Sequence, residues 1–280
     1  MKQYSFKAFT PFEFELKGLS EITQAKRKIT GVPHRANFYQ IVWIETGNSV
    51  QTVDFRPIEI MGGQILFIAK NQVISFDTLS SYSGQIILFT DLFYNRCDSY
   101  SRLMKQINLF NPFTGNIPIK TNEILISFWN TMKDEFQAKY DNFQTNALHS
   151  LLTVFLIQAS RQNAENITQI QNNDYQIALQ FAELVENKYL TLKKVSDYID
   201  LMSVPAKSLS KSLQATTGKA PKQFINDRIL LEAKRLLVYS NESIKEITFL
   251  LGFDEPTNFG KFFREQTGLT PAEFKKQHLS

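Results

Sequence analysis

The sequence predicts an α+β protein of two domains, an N-terminal β-barrel extended by two helices and a C-terminal domain made only of helices. Two observations predict this class. Over residues 6–90, short apolar segments alternate with turn residues, as in a β-barrel or sandwich. From residue 122 onward, apolar residues recur at the spacing of amphipathic helices. With 280 residues and 43% hydrophobic content, the chain is long enough for two cores.

Composition limits the cellular location of the protein and the kinds of binding site that it can contain. The N-terminus has no signal-peptide pattern, and no apolar run approaches the ~20 residues of a membrane helix, so we expect a cytoplasmic protein with no membrane partner. The single cysteine, Cys97, excludes an internal disulfide and a cysteine-based zinc cluster, and we expect it to serve packing. The net charge is +4, of which residues 174–280 carry +2, so composition alone does not indicate nucleic acid.

The N-terminal domain is predicted to span residues 1–161. Residues 38–44 and 65–69 are typical of buried strands, and Gly47-Asn48 and Gly62-Gly63 mark turns. Within a barrel, aromatic side chains either line a cavity for a small organic molecule or fill the core, and the sequence allows both. The candidates for an effector pocket are His34, Tyr39, Trp43, Phe55, Phe67 and Phe76.

Two helices and a linker are predicted to follow the barrel, at residues 122–161 and 162–173. The second helix carries an apolar stripe of Leu148, Leu151, Leu152, Phe155 and Leu156. This stripe either offers a dimerisation surface to a second copy or packs against its own barrel. The linker prediction rests on a polar run that is rich in Asn and Gln and almost uncharged.

The C-terminal domain, residues 174–280, is predicted to hold two helix-turn-helix motifs, at about 192–218 and 244–268. In each motif a short amphipathic helix is followed by a turn and a second helix that ends at a glycine. The second helices present small, polar and basic residues outward, and such a face suits a DNA major groove. The first face comprises Lys207, Ser210, Lys211 and Gln214, and the second comprises Thr257, Gly260, Lys261 and Arg264.

A long helix between the motifs, residues 221–241, is predicted to hold both on one scaffold. Two recognition helices fixed in this way can enter successive major grooves, about 34 Å apart along the duplex. Lys211 and Lys261 are the best candidates for contacts to bases or phosphates. An ordinary pair of helical hairpins with no DNA contact is the alternative interpretation of spacing alone.

The second motif resembles the C-terminal signature of the AraC-type family of transcription regulators. The residues in register with that signature are Ile244, Glu246, Ile247, Gly252, Phe253, Phe259, Phe263, Gly268, Thr270, Pro271 and Phe274. Thr248, Thr257, Asn258, Lys261 and Lys275 depart from it. The first motif resembles the family's first motif more weakly, through Leu209, Leu213, Gly218 and Pro221.

The N-terminal half is similar to the cupin-type sensor domain of the same family. Matching positions are Pro33, His34, Phe38, Tyr39, Gly47, Asp54, Phe55, Phe67, Ile68, Gln72 and Val73. Cupin enzymes bind a metal through two histidines in an H-x-H pair, a glutamate and a later histidine. Here Ala36 occupies the second position of that pair and Ile74 lies on the later strand, so no metal site is expected.

The resemblance implies an effector-responsive transcription regulator, an activator, that binds double-stranded DNA as a homodimer and associates with the bacterial nucleoid. RNA polymerase would be a partner of an activator. We expect no cofactor and no enzymatic activity. Two alternatives remain: a barrel that binds no ligand and serves only dimerisation or protein contact, and, with less support, a metal-dependent cupin enzyme fused to a DNA-binding module.

Overall fold

The computed structural model describes residues 2–4, 13–21, 33–77, 79–94, 98–107, 109–110, 116–164 and 173–278. The chain forms two compact units that divide between Ile167 and Thr168, the first rich in strands and the second built of helices. The predicted α+β class is therefore confirmed. None of the helices in the described ranges combines the length and the apolar character needed to cross a bilayer. Cys97 lies outside the described residues.

Within the described residues, nine strands build the N-terminal unit. They are β1 (Lys2–Tyr4), β2 (Phe14–Gly18), β3 (His34–Ala36), β4 (Tyr39–Val53), β5 (Arg56–Met61), β6 (Gln64–Ile68), β7 (Val73–Ser75), β8 (Tyr82–Phe89) and β9 (Ile119–Lys120). Tight turns at Gly62-Gly63 and at Asp54-Phe55 join β4, β5 and β6, and Gly63 has a φ of 79°. These turns allow neighbouring strands to pair in antiparallel register.

The 15-residue strand β4 belongs to two sheets at once. Its first half pairs with β6 and β8, whereas its second half pairs with β5 and β7. The register shifts between Ile44 and Thr46, where an irregularity bends the strand from one sheet into the other. The predicted barrel is not closed, because among the described strands β1 pairs only with β3 and β9 only with β6.

The described part of the N-terminal unit also contains the helices α1 (Asp91–Tyr94), α2 (Asp98–Ile107), α3 (Glu123–Gln137) and α4 (Gln144–Ala164). The helices α3 and α4 pack against each other and against one face of the β2, β4, β6 and β8 strands. The contact includes Trp43 against Trp129, with ring centroids 5.3 Å apart. A second apolar cluster, which includes Val42, Leu66 and Ile86, covers the opposite face of the same strands. Both faces of this sheet are therefore buried.

The apolar stripe predicted as a dimerisation surface faces the protein's own core. Leu148, Leu152, Phe155 and Leu156 are each 0% exposed and Leu151 is partly buried, all packed into the cluster shared with α3 and the sheet. Leu148, Leu152, Phe155 and Leu156 therefore have no surface available to a second copy, whereas for Leu151, which is partly exposed, the dimerisation role stays a prediction. An amphipathic helix beside a sheet buries its apolar face there first.

Both ends of the predicted linker, residues 162–164 and Asn173, lie in helices. The helix α4 continues through Ala164, and the next helix begins at Asn173. Residues 165–172 lie outside the described residues. Because Gln and Asn are tolerated on the exposed face of a helix, polar composition alone does not mark where the helix ends.

Seven helices form the C-terminal unit over residues 173–278, the part of it that the structure describes. They are α5 (Asn173–Lys188), α6 (Val195–Met202), α7 (Ala206–Thr217), α8 (Pro221–Tyr239), α9 (Ile244–Leu250), α10 (Pro256–Thr267) and α11 (Pro271–His278). The helix α8 packs on α5 and α7 and also on α9 and α11. It therefore connects the part of the unit that contains α6 and α7 to the part that contains α9 and α10.

We expect Leu152→Ala to lower the free energy of unfolding by about 2–5 kcal/mol, because it removes a fully buried side chain and leaves a cavity. The measurement is urea denaturation followed by circular dichroism at several protein concentrations. Val154→Ala is the matched control, since Val154 lies on the same helix and is 37% exposed. A Leu152→Ala midpoint that matches wild type would contradict the assignment of this residue to the core of a single chain.

Candidate nucleic-acid interface

The first helix-turn-helix motif comprises α6 and α7. Tyr198 and Met202 are the buried side chains of α6, and Ser203 ends that helix in the left-handed conformation with a φ of 53°. Pro205 precedes α7 with an extended backbone. Leu209 and Leu213 hold α7 to the scaffold with no exposed surface, and Gly218 ends it at a φ of 68°. The predicted motif and its turn are thus both present.

The outward face of α7 carries the predicted contact residues. Lys207, Ser210, Lys211 and Gln214 are all exposed. The Lys211 Nζ lies 3.4 Å from an Asp174 carboxylate oxygen, and the other oxygen accepts a hydrogen bond of 2.8 Å from the Ser212 hydroxyl. Because Lys211 is 76% exposed, this ion pair is weak and does not hold the lysine away from a ligand.

The second motif comprises α9 and α10. Ser243 caps α9 in a reciprocal capping box, in which its hydroxyl accepts from the Glu246 amide and the Glu246 carboxylate accepts from the Ser243 amide. The turn contains Gly252, whose φ of 71° favours glycine. Phe259 and Phe263 are fully buried on the inner side of α10. The amphipathic pattern read from the sequence therefore sets the orientation of this helix.

The outward face of α10 is small and basic. Thr257, Lys261 and Arg264 are exposed, and Gly260 is partly exposed among them. The Thr257 hydroxyl donates to the Glu255 carboxylate at 3.2 Å. A methyl group added to Gly260 would meet no atom within 4 Å, so the packing of the chain does not itself require glycine here. Glycine in a helix interior costs about 1 kcal/mol relative to alanine.

A buried ion network fixes α8 to α5. Arg228 is 4% exposed and donates two hydrogen bonds to Glu186, at 2.6 and 2.9 Å. Its guanidinium also donates to Glu232 at 3.2 Å and lies over the Tyr189 ring at 3.9 Å. Burial lowers the pKa of Arg228, but the hydrogen bonds and charge of Glu186 outweigh it, so the net pKa is raised and the group stays charged.

Sequence patterns did not identify Lys193, which connects the two motifs. Its ammonium group donates to the carbonyl oxygens of Leu251 at 2.6 Å, Leu190 at 3.1 Å and Tyr189 at 3.5 Å. Nothing local to Lys193 reveals a partner 58 positions away in the chain. The glycine at 252, already prominent in the sequence, was the available sign that the backbone comes close to another segment here.

The six residues predicted to line an effector pocket fall in different places. Tyr39, Trp43 and Phe67 belong to the cluster between the sheet and the helices. Phe76 belongs to the cluster on the opposite face of the sheet, and its ring centroid lies 6.1 Å from that of His34. Phe55 lies in a turn with a φ of 68°. The structure therefore does not bring the six together around one space. The Tyr39 hydroxyl instead donates to Asp91 at 3.3 Å.

A cavity of about 610 Å³ lies elsewhere in the N-terminal unit, between the end of β2, the start of β8 and the C-terminal half of α3. Its lining includes Lys17, Glu21, Glu45, Gln85 and Lys133. The Gln85 amide donates to Glu45 at 2.6 Å and accepts from the Trp129 indole at 3.3 Å. The cavity therefore combines donors and acceptors with a direct connection to α3, and it contains none of the six predicted pocket residues.

Asp77 holds the loop that borders this cavity. Burial raises its pKa, but hydrogen bonds from Ser80 and from the amides of Leu79, Val50 and Ser80 lower it further, to about 2. Its carboxylate accepts from the Leu79 amide at 2.8 Å and from the Val50 amide at 3.1 Å. The loop is thus anchored to β4 by a carboxylate that remains ionised at neutral pH.

Comparison with known protein families finds a match for the C-terminal unit. A family model described as a helix-turn-helix domain matches residues 198–277, a range that includes α7, α10 and the helix between the motifs. Similar sequences include the HTH-type transcriptional activator RhaS of Yersinia pestis (strain Angola), 21% identical over 256 residues, covering 87% of this chain and 89% of the relative. RhaS of Enterobacter sp. (strain 638) is also 21% identical and covers 87% of each chain.

Solved structures similar to this chain include ToxT from Vibrio cholerae O395. It is 16% identical, with a TM-score of 0.46 over 95% of each chain. The DNA-binding domain of AdpA, solved in complex with a target DNA, is 26% identical, with a TM-score of 0.33 over 36% of this chain and 90% of that one.

Gly260→Ala is expected to raise the free energy of unfolding by about 0.5–1 kcal/mol, because alanine is the better helix former and the methyl group has space. We expect the same change to weaken DNA binding, because the methyl group would stand between the helix and the base edges. Thermal denaturation and gel-shift titration measure the two effects. Gly268→Ala is the control, since its φ of 77° makes alanine destabilising there. Unchanged DNA affinity in Gly260→Ala would contradict close approach at this position.

Arg228→Met is expected to lower the free energy of unfolding by about 2–3 kcal/mol, because it removes both hydrogen bonds to Glu186, while Glu232 keeps its ion pair with Arg235 at 3.2 Å. Arg228→Lys should restore little of the loss, since an ammonium cannot form the paired hydrogen bonds to Glu186. The control is Lys219→Met, which removes a more exposed ion pair with Asp227 and should cost less than about 1 kcal/mol. Chemical denaturation compares the three variants, and equal losses would overturn the assignment.

Proposed function

We propose that this chain, a member of the AraC-type family of transcription regulators, binds double-stranded DNA sequence-specifically through α7 and α10 and so controls transcription. The observation that carries the proposal is the pair of exposed, small and basic faces, one on the second helix of each motif. Major-groove reading requires such a face on a helix whose opposite side is held by apolar packing. The named relatives are transcriptional activators, which supports the same role here.

The two motifs belong to one compact unit, and this supports reading of two successive major grooves by one chain. Lys207, Ser210, Lys211 and Gln214 would face one groove, and Thr257, Gly260, Lys261 and Arg264 the other. Within residues 205–217 there is no acidic residue, so α7 presents only neutral and positive side chains to the phosphates. Lys261 and Arg264 contribute both positive charges of the α10 face.

If Lys261 reads a base, we expect Lys261→Ala to weaken binding to selected DNA by about 1–3 kcal/mol and to leave binding to random DNA unchanged. If Lys261 contacts a phosphate, the same variant should bind all sequences more weakly. The probe is a duplex enriched by the wild-type protein from a random-sequence pool, compared with random DNA in gel-shift titrations at several salt concentrations. Lys276→Ala is the control, because it removes an exposed lysine from α11. Unchanged affinity of Lys261→Ala on both probes would refute either role.

Small-molecule control of this regulator is a second part of the proposal, and the 610 Å³ cavity supports it. Ligand sites commonly have volumes of about 300–1,000 Å³ and a few convergent polar groups. The lining of lysines, carboxylates, serines and amides suits a small polar molecule with several hydrogen-bonding groups. We therefore propose the effector site in this cavity and not among the aromatic residues named from the sequence.

A thermal-shift screen of polar metabolites tests this site, since a ligand at 100 times its Kd adds about 2.7 kcal/mol to the stability of the folded state. Lys133→Met, which changes a cavity side chain, should abolish the shift produced by a hit. Lys139→Met, which changes an exposed lysine just after α3, should retain it. A screen in which no metabolite raises the melting point would favour the alternative, an N-terminal unit that serves only dimerisation or protein contact.

A homodimer and a contact with RNA polymerase complete the proposed role. The buried stripe of α4 does not supply the dimer contact, so a surface other than Leu148, Leu152, Phe155 and Leu156 would have to form it. Sedimentation velocity of the full chain, free and on selected DNA, gives the number of copies bound.

A further inference from the structure

Lys193 lies between α5 and α6, where it joins the ends of two helices from different parts of the C-terminal unit. Tyr189 and Leu190 follow α5, and Leu251 follows the last residue of α9. The ammonium group has three donor positions, and it donates to the carbonyl oxygens of these three residues. Carbonyl groups at a helix C-terminus carry partial negative charge, so a cation stabilises both ends together.

The surroundings of Lys193 keep it in this position. Its Nζ lies 5.0 Å from the centre of the Phe253 ring, and its own carbonyl accepts a hydrogen bond of 3.0 Å from Lys222. Burial and the charge of Lys222 lower the pKa of Lys193, and the charge of Asp254 raises it. Burial is the largest effect, so the net pKa is lowered. Breaking these hydrogen bonds costs more free energy for a half-buried lysine than for a solvated surface lysine, because water replaces the lost partners less completely.

Gly252 makes the second contact across the same junction. A methyl group on this residue would lie 1.9 Å from the Leu190 carbonyl oxygen and 2.9 Å from the Lys193 Nζ. Its φ of 71° disfavours any other residue as well. The turn of the second motif therefore touches the backbone that leads into the first motif, and only glycine fits between them.

We propose that Lys193 and Gly252 are positioning residues that fix α10 relative to α7, and so set the distance and phase between the two DNA segments that one chain reads. This inference rests on the proposed function. Neither residue belongs to the two exposed faces assigned to the grooves. Their effect on binding passes through the geometry of the two motifs, because two linked contacts strengthen each other only when both are engaged at once.

The test measures the affinity of wild-type protein and of Lys193→Met for two DNA probes. Lys193→Met retains an apolar side chain of similar length but removes all three hydrogen bonds. The full probe is a duplex enriched by the wild type from a random-sequence pool. The half probe is the same duplex with the segment protected by α10 scrambled. We expect Lys193→Met to bind the full probe roughly 10- to 100-fold more weakly and the half probe with unchanged affinity.

A spacing series gives a readout that general destabilisation would not change. Duplexes with one or two base pairs inserted between the two segments should show a sharp optimum for the wild type and a flat profile for Lys193→Met. Gly252→Ala, the second variant, should flatten the profile in the same way. Lys276→Met, which removes one exposed positive charge, should keep the wild-type optimum.

The possible results separate the two levels of the proposal. If the wild type enriches no DNA, the proposed function itself fails. If the wild type binds and Lys193→Met keeps both its affinity and its spacing optimum, the positioning role is overturned. A loss of equal size on the full and half probes also overturns it, because that result indicates a direct phosphate contact or a loss of folding.

Discussion

The buried guanidinium of Arg228 is the interaction on which the helical unit depends. Its hydrogen bonds to Glu186 connect α8 to α5, and its hydrogen bond to Glu232 reaches the next turn of α8 itself. The guanidinium also lies over the Tyr189 ring. The other end of α8 packs Ala233 and Leu237 against the buried phenylalanines of α10. One helix therefore carries a charged anchor at one side and an apolar anchor at the other. The orientation of both motifs follows from these two attachments.

Much of the helical unit could be predicted from the sequence, because helix periodicity, glycines and prolines act locally. The positions of Leu209, Leu213, Phe259 and Phe263 were sufficient to orient both recognition helices. The contacts of Lys193 could not be predicted, since they join residues distant in sequence and leave no periodic pattern. The residue roles proposed at the DNA face remain predictions, because exposure shows that a side chain is available and does not show what it binds.

The N-terminal unit was harder to interpret for a physical reason. Trp43 and Val42 alternate along β4, and strand geometry sends them to opposite faces. In a sheet covered on one side only, alternation would distinguish core from surface. Here both faces are buried, so aromatic residues from the two faces looked equivalent in sequence and were assigned to one pocket. The polar residues around the cavity gave no comparable pattern, because they come from turns, strand ends and one helix.

The strand β4 has a consequence for how the protein reaches its native state. It joins β6 to β8 in one sheet and β5 to β7 in the other, so the two sheets should gain and lose structure cooperatively. Its partners β8 and β7 come later in the chain, and β6 pairs with β9 more than 50 positions away, as in Ile65 with Ile119. Folding slows as contacts become more distant in sequence. The N-terminal unit leaves the ribosome before the helical unit, yet we expect it to fold more slowly, because its strand pairs join more distant parts of the chain.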